Sequence, residues 1–168
     1  EANNFLTRFS TLMRSILDNS NKNFIQLEEE IALVKSYLEL EHQRFNDSFD
    51  FTIEIKPQID VTNLFIPNML IQPYLENAIW HGLRYKTEKG ILKLVIDMNE
   101  DCLVVTIEDN GIGLIKAKEH SKAGHKSLGT STIYTILEIN SKLSGKKQEV
   151  SMTDKSTLDP NDHGTLIC

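Results

Sequence analysis

The residues best suited to chemistry form a short run, Glu108-Asp109-Asn110-Gly111-Ile112-Gly113, at the end of a strand-like stretch. A carboxylate beside flexible glycines is a plausible ligand contact, although Asp-Asn-Gly is also a frequent turn. An earlier segment with helical spacing carries Asn77 and His81 four residues apart, so both side chains would share one helix face. Such a pair could also be capped or partly buried. In this order and separation, however, the two segments together form a specific pattern.

A third feature is a lysine-bearing stretch between residues 114 and 127. Its lysines, set against the single acid Glu119, are Lys116, Lys118, Lys122 and Lys126. A cationic patch in a chain of net charge -6 is a place to look for an anion. A solvated loop is the alternative interpretation.

The common catalytic and phosphate-binding signatures are absent. Residues 124–127 read Gly-His-Lys-Ser, so a histidine separates the glycine and the lysine that the P-loop pattern GxxxxGK[ST] places side by side. The run Gly111-Ile112-Gly113 lacks the third glycine of a dinucleotide fingerprint. There is no HExxH zinc pattern and no GxSxG nucleophile elbow.

Composition indicates an ordinary globular chain of 168 residues, 40% hydrophobic and 25% charged. The negative charge argues against a general nucleic-acid binder, and no apolar run is long enough to span a membrane. Two cysteines cannot form a disulfide framework, and we expect Cys102 to be a buried thiol. The chain begins inside a helical pattern and stops in a strand, so we expect a fragment of a longer protein.

Elements that could position these residues follow from hydrophobic periodicity. Helices are predicted over residues 3–19, 27–44, 66–83 and 130–143, with Pro73 lying inside the third helix or marking its true start. Strands are predicted over residues 49–55, 91–98, 102–108, 149–153 and 165–167. Two helices followed by this mixture predict an α+β fold, a two-layer sandwich with helices on one face of a mixed or antiparallel sheet.

On these residues the chain resembles the GHKL superfamily of nucleotide-binding domains, and within it the LytS/YehU-like sensor histidine kinases. The N box of the family is resembled by residues 67–82. Its first, second and last G boxes are resembled by residues 109–113, 127–129 and 164–165. The segments that precede the nucleotide domain in the family are resembled by residues 9–14, 27–30 and 37–45. The resemblance covers nearly the whole chain. It implies the Bergerat (GHKL) ATP-binding fold, preceded by one or two helices.

The resemblance also implies roles for individual residues. Asp109 would accept a hydrogen bond from the adenine amino group, and Gly111 and Gly113 would let the backbone approach the purine. Asn77 would bind Mg²⁺, and His81 would contact phosphate. The remaining nucleotide contacts implied are Lys126 in an ATP lid over residues 115–128, Gly129 at a helix start, and Thr165.

The implied reaction is transfer of the γ-phosphoryl group of ATP to a histidine, with Mg²⁺ as cofactor. Glu76 is a candidate proton acceptor, although a surface glutamate is an equal alternative. Residues 1–46 would be the end of the dimerisation and phosphoacceptor region, and residues 47–168 the catalytic domain. The implied partners are the chain's own phosphoacceptor helix in a homodimer and a response regulator. The parent protein would be anchored in a bacterial inner membrane, with this part in the cytoplasm.

The sequence departs from the family pattern in three places. The Pro-His-Phe-Leu-Phe-Asn acceptor motif is absent, so the fragment should bind ATP without phosphorylating itself. The second G box has one glycine, and Ile136-Leu137 replaces the usual Arg-Leu pair. Pro73 stands where ATP-hydrolysing relatives such as gyrase carry a glutamate. The alternative is therefore a degenerate nucleotide-sensing or protein-interaction module without transfer.

Overall fold

The computed structural model describes residues 2–120, 128–144, 148–160 and 162–168. Two helices of 18 residues each open the chain: α1 spans Ala2–Asn19 and α2 spans Leu27–Arg44. The second helix has the bounds predicted from its apolar stripe. Between them, the short strand β1 (Phe24–Gln26) pairs antiparallel with β3 (Phe65–Pro67).

A five-stranded sheet forms the second layer. Its strands are β2 (Phe49–Ile55), β4 (Gly90–Asn99), β5 (Cys102–Asp109), β6 (Met152–Asp154) and β7 (Thr165–Ile167), in the spatial order β2-β4-β5-β7-β6. The β2–β4 pair is parallel and the other pairs are antiparallel, so the sheet is mixed. This confirms the predicted α+β sandwich.

The sheet has one buried face, which β4 illustrates. Leu92, Leu94 and Ile96 are buried and alternate with the exposed side chains of Ile91 and Lys93, as a period of two requires. The buried residues join one hydrophobic core with Leu27, Val34 and Leu38 of α2, none of which is exposed to solvent. Helix α2 therefore packs into the same core as the sheet.

The predicted helix over residues 66–83 is wrong at its start. Helix α3 spans Gln72–Asn77 and continues as a π-helical turn, Ala78–Gly82, and a 3₁₀ turn, Leu83–Tyr85. Pro73 lies in the first turn of α3, where its missing N–H costs nothing. Residues 65–67 belong to β3 instead, because they pair with β1.

Two further predictions are corrected. Residues 115–120, expected to lie in the lid loop, belong to helix α4 (Gly113–His120). Cys102, expected to be buried, is exposed because it is the first residue of β5 after the hairpin turn. Helix α5 spans Leu128–Ser144, slightly longer than predicted. Among the described residues, no helix is long and apolar enough to cross a membrane.

Candidate functional site

Asp109, the last residue of β5, is a carboxylate buried in the sheet layer, with only 2% of its surface exposed. The backbone N–H of Gly111 donates to its Oδ1 at 2.8 Å, and Thr165 on the neighbouring β7 offers both its backbone N–H and its hydroxyl. Burial raises the pKa of Asp109 to about 6, although these hydrogen bonds and the nearby Lys155 oppose the shift. At neutral pH the carboxylate is therefore largely ionised and fixed in direction.

Gly111 allows a close backbone approach beside this carboxylate. A Cβ at this position would lie 2.6 Å from the carbonyl carbon of Gly82 and 2.8 Å from Oδ1 of Asp109. The backbone N–H of Ile112 also reaches the carbonyl oxygen of Gly82 at 3.4 Å. The glycine thus joins the loop after β5 to the end of the helical segment that carries Asn77 and His81.

Gly113 begins α4 with a left-handed φ of 81°. A Cβ there would come within 2.7 Å of Oδ2 of Asp154, and that oxygen accepts the backbone N–H of Ile115 at 2.9 Å. Burial opposes ionisation of Asp154, but its hydrogen bonds, including those from Ser156 and Ile115, lower its pKa overall. Asp154 is therefore an ionised cap on the first turn of α4.

Asp154 and its neighbour Lys155 belong to the site although the sequence predicts no role for them. The Lys155 ammonium lies 2.8 Å from Glu108 Oε1 and 3.0 Å from Asp162 Oδ1, and so links β5 to the turn before β7. Both residues lie some forty positions after the glycine run, and no local pattern in the sequence relates them to it. Their role follows from the pairing of β5, β6 and β7.

Asn77 and His81 lie at the open side of the helical segment. The Asn77 side chain is half-buried and that of His81 is exposed; within the described part of the chain neither forms a hydrogen bond or an ion pair. An amide oxygen without a protein partner is free to accept a cation or a donor from a ligand. These two residues therefore present an amide oxygen and an imidazole that have no partner among the described residues.

Glu76, next to Asn77, has its side chain held by its own helix. Its Oε1 accepts a hydrogen bond from Nε2 of Gln72, one turn back, at 3.0 Å. Its charge also faces α2, where it helps to raise the pKa of Glu41, a shift that comes first from burial and that Arg44 opposes. Glu76 is thus half-buried between two helices rather than a plain surface residue.

The structure brings Asp109, Gly111 and Thr165 into direct contact, and places Gly113 at the start of α4. Gly129 lies in the first turn of α5. Residues 121–127 of the predicted lid, which include Lys126, fall outside the described residues. The protein therefore has a buried polar cluster where the central strand β5 ends, and the helical segment with Asn77 and His81 lies beside it.

Comparison with known proteins relates this arrangement to one family. A model described as "Histidine kinase" matches residues 1–49. The sensor protein LytS of Staphylococcus epidermidis is 30% identical over 148 residues, which cover 86% of this chain and 24% of that protein. The sensor histidine kinase YesM of Bacillus subtilis is 30% identical over 114 residues, covering 68% of this chain and 18% of that protein. The chain thus spans a quarter or less of the length of these relatives.

Solved structures share the fold. The histidine kinase domain of a blue-light activated kinase from Erythrobacter litoralis aligns over 97% of this chain and 72% of its own, with a TM-score of 0.58 and 16% identity. The catalytic domain of histidine kinase ThkA aligns over 86% of this chain and 90% of its own, with a TM-score of 0.54 and 18% identity. At such identities the likeness concerns the fold alone.

Proposed function

The chain belongs to the LytS-like sensor histidine kinases, and on that premise we propose that it is their ATP-binding catalytic part. Its reaction would be transfer of the γ-phosphoryl group of ATP to a histidine outside these residues, for relay to a response regulator. The observation that carries the proposal is the buried carboxylate of Asp109, held by hydrogen bonds from Gly111 and Thr165.

Adenine recognition would be the task of Asp109. The adenine amino group donates hydrogen bonds, and a fixed buried carboxylate rejects a base that has no donor there, because the oxygen would be left unpaired. Gly111 and Gly113 shape the loop on either side of that contact. Thr165 acts by orienting the carboxylate.

The triphosphate would lie along the open helix face. Asn77 offers an amide oxygen to Mg²⁺, which typically takes one or two protein ligands together with phosphate oxygens and water. His81, four residues on, would contact phosphate. The free N–H groups of the first turn of α5, around Gly129, suit a phosphate group, and Lys126 would add positive charge. The bound metal would neutralise the charge of the phosphates.

For the transfer step, an imidazole nitrogen attacks the γ-phosphorus, an N–P bond forms, and the bond to the β-phosphate oxygen breaks as ADP leaves. The proton of the attacking imidazole needs an acceptor. We propose Glu76, since it is the carboxylate next to Asn77, with its side chain held by Gln72. Positioning and charge neutralisation do the remaining work, so few other catalytic groups are needed.

For the whole protein, we propose that residues 1–46 end the dimerisation region and that residues 47–168 form the catalytic domain. Helix α1 packs on the core through Leu12, with Phe5 and Ile16 partly buried. The adjoining face of α1 exposes Leu6, Phe9, Met13 and Leu17. An apolar helix face of this kind fits a homodimer in which another helix of the region carries the acceptor histidine. A membrane anchor would lie outside these residues.

Titration with a non-hydrolysable ATP analogue, with and without Mg²⁺, tests the proposal. Binding in the micromolar to millimolar range, tightened by Mg²⁺, is expected by isothermal calorimetry. No binding at millimolar nucleotide would refute it. GTP is the control ligand, because its base carries a carbonyl group where adenine carries the amino group proposed to bind Asp109.

A further inference from the structure

Glu30 is a buried carboxylate on α2 that serves the helix carrying Asn77. Only 1% of it is exposed, yet it accepts the backbone N–H of Met69 at 3.2 Å and that of Ile71 at 3.0 Å. The amides of Leu70 and Gln72 also act on it. Burial raises the pKa of Glu30, and the four amides of residues 69–72 offset part of that rise.

The turn that supplies these donors has an unusual conformation. Met69 has a left-handed φ of 57°, which side chains other than glycine, asparagine and aspartate seldom adopt. A left-handed residue next to right-handed ones aims successive N–H groups at one point and makes a concave anion site. Here the anion is the side chain of Glu30. The turn leads directly into α3, which begins at Gln72.

A second contact joins the far ends of the two helices. The guanidinium of Arg44, the last residue of α2, lies 4.6 Å from the centre of the Trp80 ring, and Phe45 packs edge-on against the same ring at 5.4 Å. Glu30 lies near the start of α2 and reaches the start of α3. The two helical segments therefore run side by side in the same direction and are joined at both ends, with Asn77 between the contacts.

We propose that Glu30 is a positioning residue that fixes the start of α3 and thereby the direction of Asn77. The inference rests on the proposed nucleotide site. The adenine end does not depend on Glu30, because Asp109 is held by Gly111 and by Thr165. Loss of the Glu30 charge should therefore weaken the metal and phosphate end of the site selectively.

The variant for the test is Glu30→Gln, which keeps the shape and one acceptor oxygen but removes the charge. The matched control is Glu28→Gln, an exposed glutamate in the same helical turn. Affinity is measured by calorimetry for adenosine and for the ATP analogue with and without Mg²⁺. Hydrogen exchange of the amides of residues 69–72 is followed by NMR in the unliganded protein.

The expected result for Glu30→Gln is at least tenfold faster exchange of these amides and at least a fivefold loss of the Mg²⁺-dependent gain in affinity. Affinity for adenosine should change less than twofold, and Glu28→Gln should behave like the wild type. Equal losses for adenosine and Mg-ATP would mean a general structural role and would overturn the proposal, as would unchanged amide exchange.

Two provisions keep the test decisive. If Glu30→Gln does not fold, Met69→Gly is added, because glycine adopts the left-handed conformation without steric strain. The affinities for adenosine and for the ATP analogue with and without Mg²⁺ are then compared in the double variant. If the wild-type protein bound no nucleotide, the proposed function would fail, whereas the exchange rates would still decide whether Glu30 holds the turn.

Discussion

The two ends of the proposed nucleotide site differ in how completely the protein builds them. At the adenine end, Asp109 is buried and hydrogen-bonded by the loop and strand on either side of it. At the phosphate end, Asn77 and His81 stand on a helix with no side-chain hydrogen bonds among the described residues. One end is prepared before the ligand arrives, whereas the other offers groups that a ligand must complete.

This contrast matches the chemistry that each end would perform. A base is recognised by fixed donors and acceptors, because an unpaired buried group makes the wrong base costly. Phosphates and Mg²⁺ carry their own charges and water, so a few exposed oxygens and N–H groups are enough. We therefore expect base specificity to depend on Asp109 at the end of the central strand β5, and catalysis on the helical segment that carries Asn77.

Asp109→Asn should have the largest effect. Affinity for the ATP analogue should fall roughly 100-fold, which corresponds to one lost charge-assisted hydrogen bond of about 3 kcal/mol. Since the pKa of Asp109 is raised by burial, its ionisation costs stability as pH rises from about 4 to about 6. The unliganded variant should therefore melt no lower than the wild type at pH 7. Calorimetry and thermal unfolding measure both effects, and unchanged affinity would mean that adenine binds elsewhere.

Asn77→Ala should have an intermediate effect confined to the other end. Removing the amide oxygen should abolish the tightening by Mg²⁺, about tenfold in affinity, and leave adenosine binding unchanged. Asn99→Ala, at an exposed position in the hairpin, is the control. The comparison between the two ends would break down if Asn77→Ala weakened adenosine as much as Mg-ATP.

The smallest effect should come from pH. The adenine amino group favours the ionised carboxylate, so adenosine affinity should fall as pH drops, reaching about half its value near pH 6, where Asp109 is half protonated in the unliganded protein. Adenosine is the right ligand because it has no phosphate to titrate. Calorimetry between pH 8 and pH 5.5 measures the curve, with unfolding scans at each pH. Affinity that rises as pH falls would contradict an ionised Asp109.

The sequence predicts the elements whose signals are local. The apolar stripe of α2 and the alternation in β2 both give the observed bounds. The start of α3 was wrong because the apolar residues before Pro73 fit a helix locally, while pairing with β1, some forty residues away, makes them a strand. Helix α4 was missed for a similar reason, since its first turn depends on the distant Asp154.

For the site, residue types and spacing singled out Asp109 and the glycine run, and the resemblance to a family added Thr165 as a nucleotide contact. The structure shows that Gly111 and Thr165 are hydrogen-bonded to Asp109, which the sequence did not predict. The supports of these residues could not be predicted in the same way. Glu30 reads as one of three acids in the first turn of a helix, and only the fold shows that it is buried against residues 69–71. The roles in metal and phosphate binding stay predictions.

The π-helical turn after Asn77 has a consequence for how this segment varies. A π turn holds one more residue than an α turn, and such turns often occur at functional sites. Here it lies between Asn77 and Leu83, whose N–H reaches back to the carbonyl of Ala78. Because the π turn already holds the extra residue, deleting one residue inside Ala78–Gly82 would leave a regular helix whose later residues keep nearly the same direction. The carbonyl of Gly82 that meets the N–H of Ile112 would then stay close to its present place. A deletion inside this turn should therefore be tolerated better than one in α2, where every later residue of a regular helix would turn by about 100° around the axis.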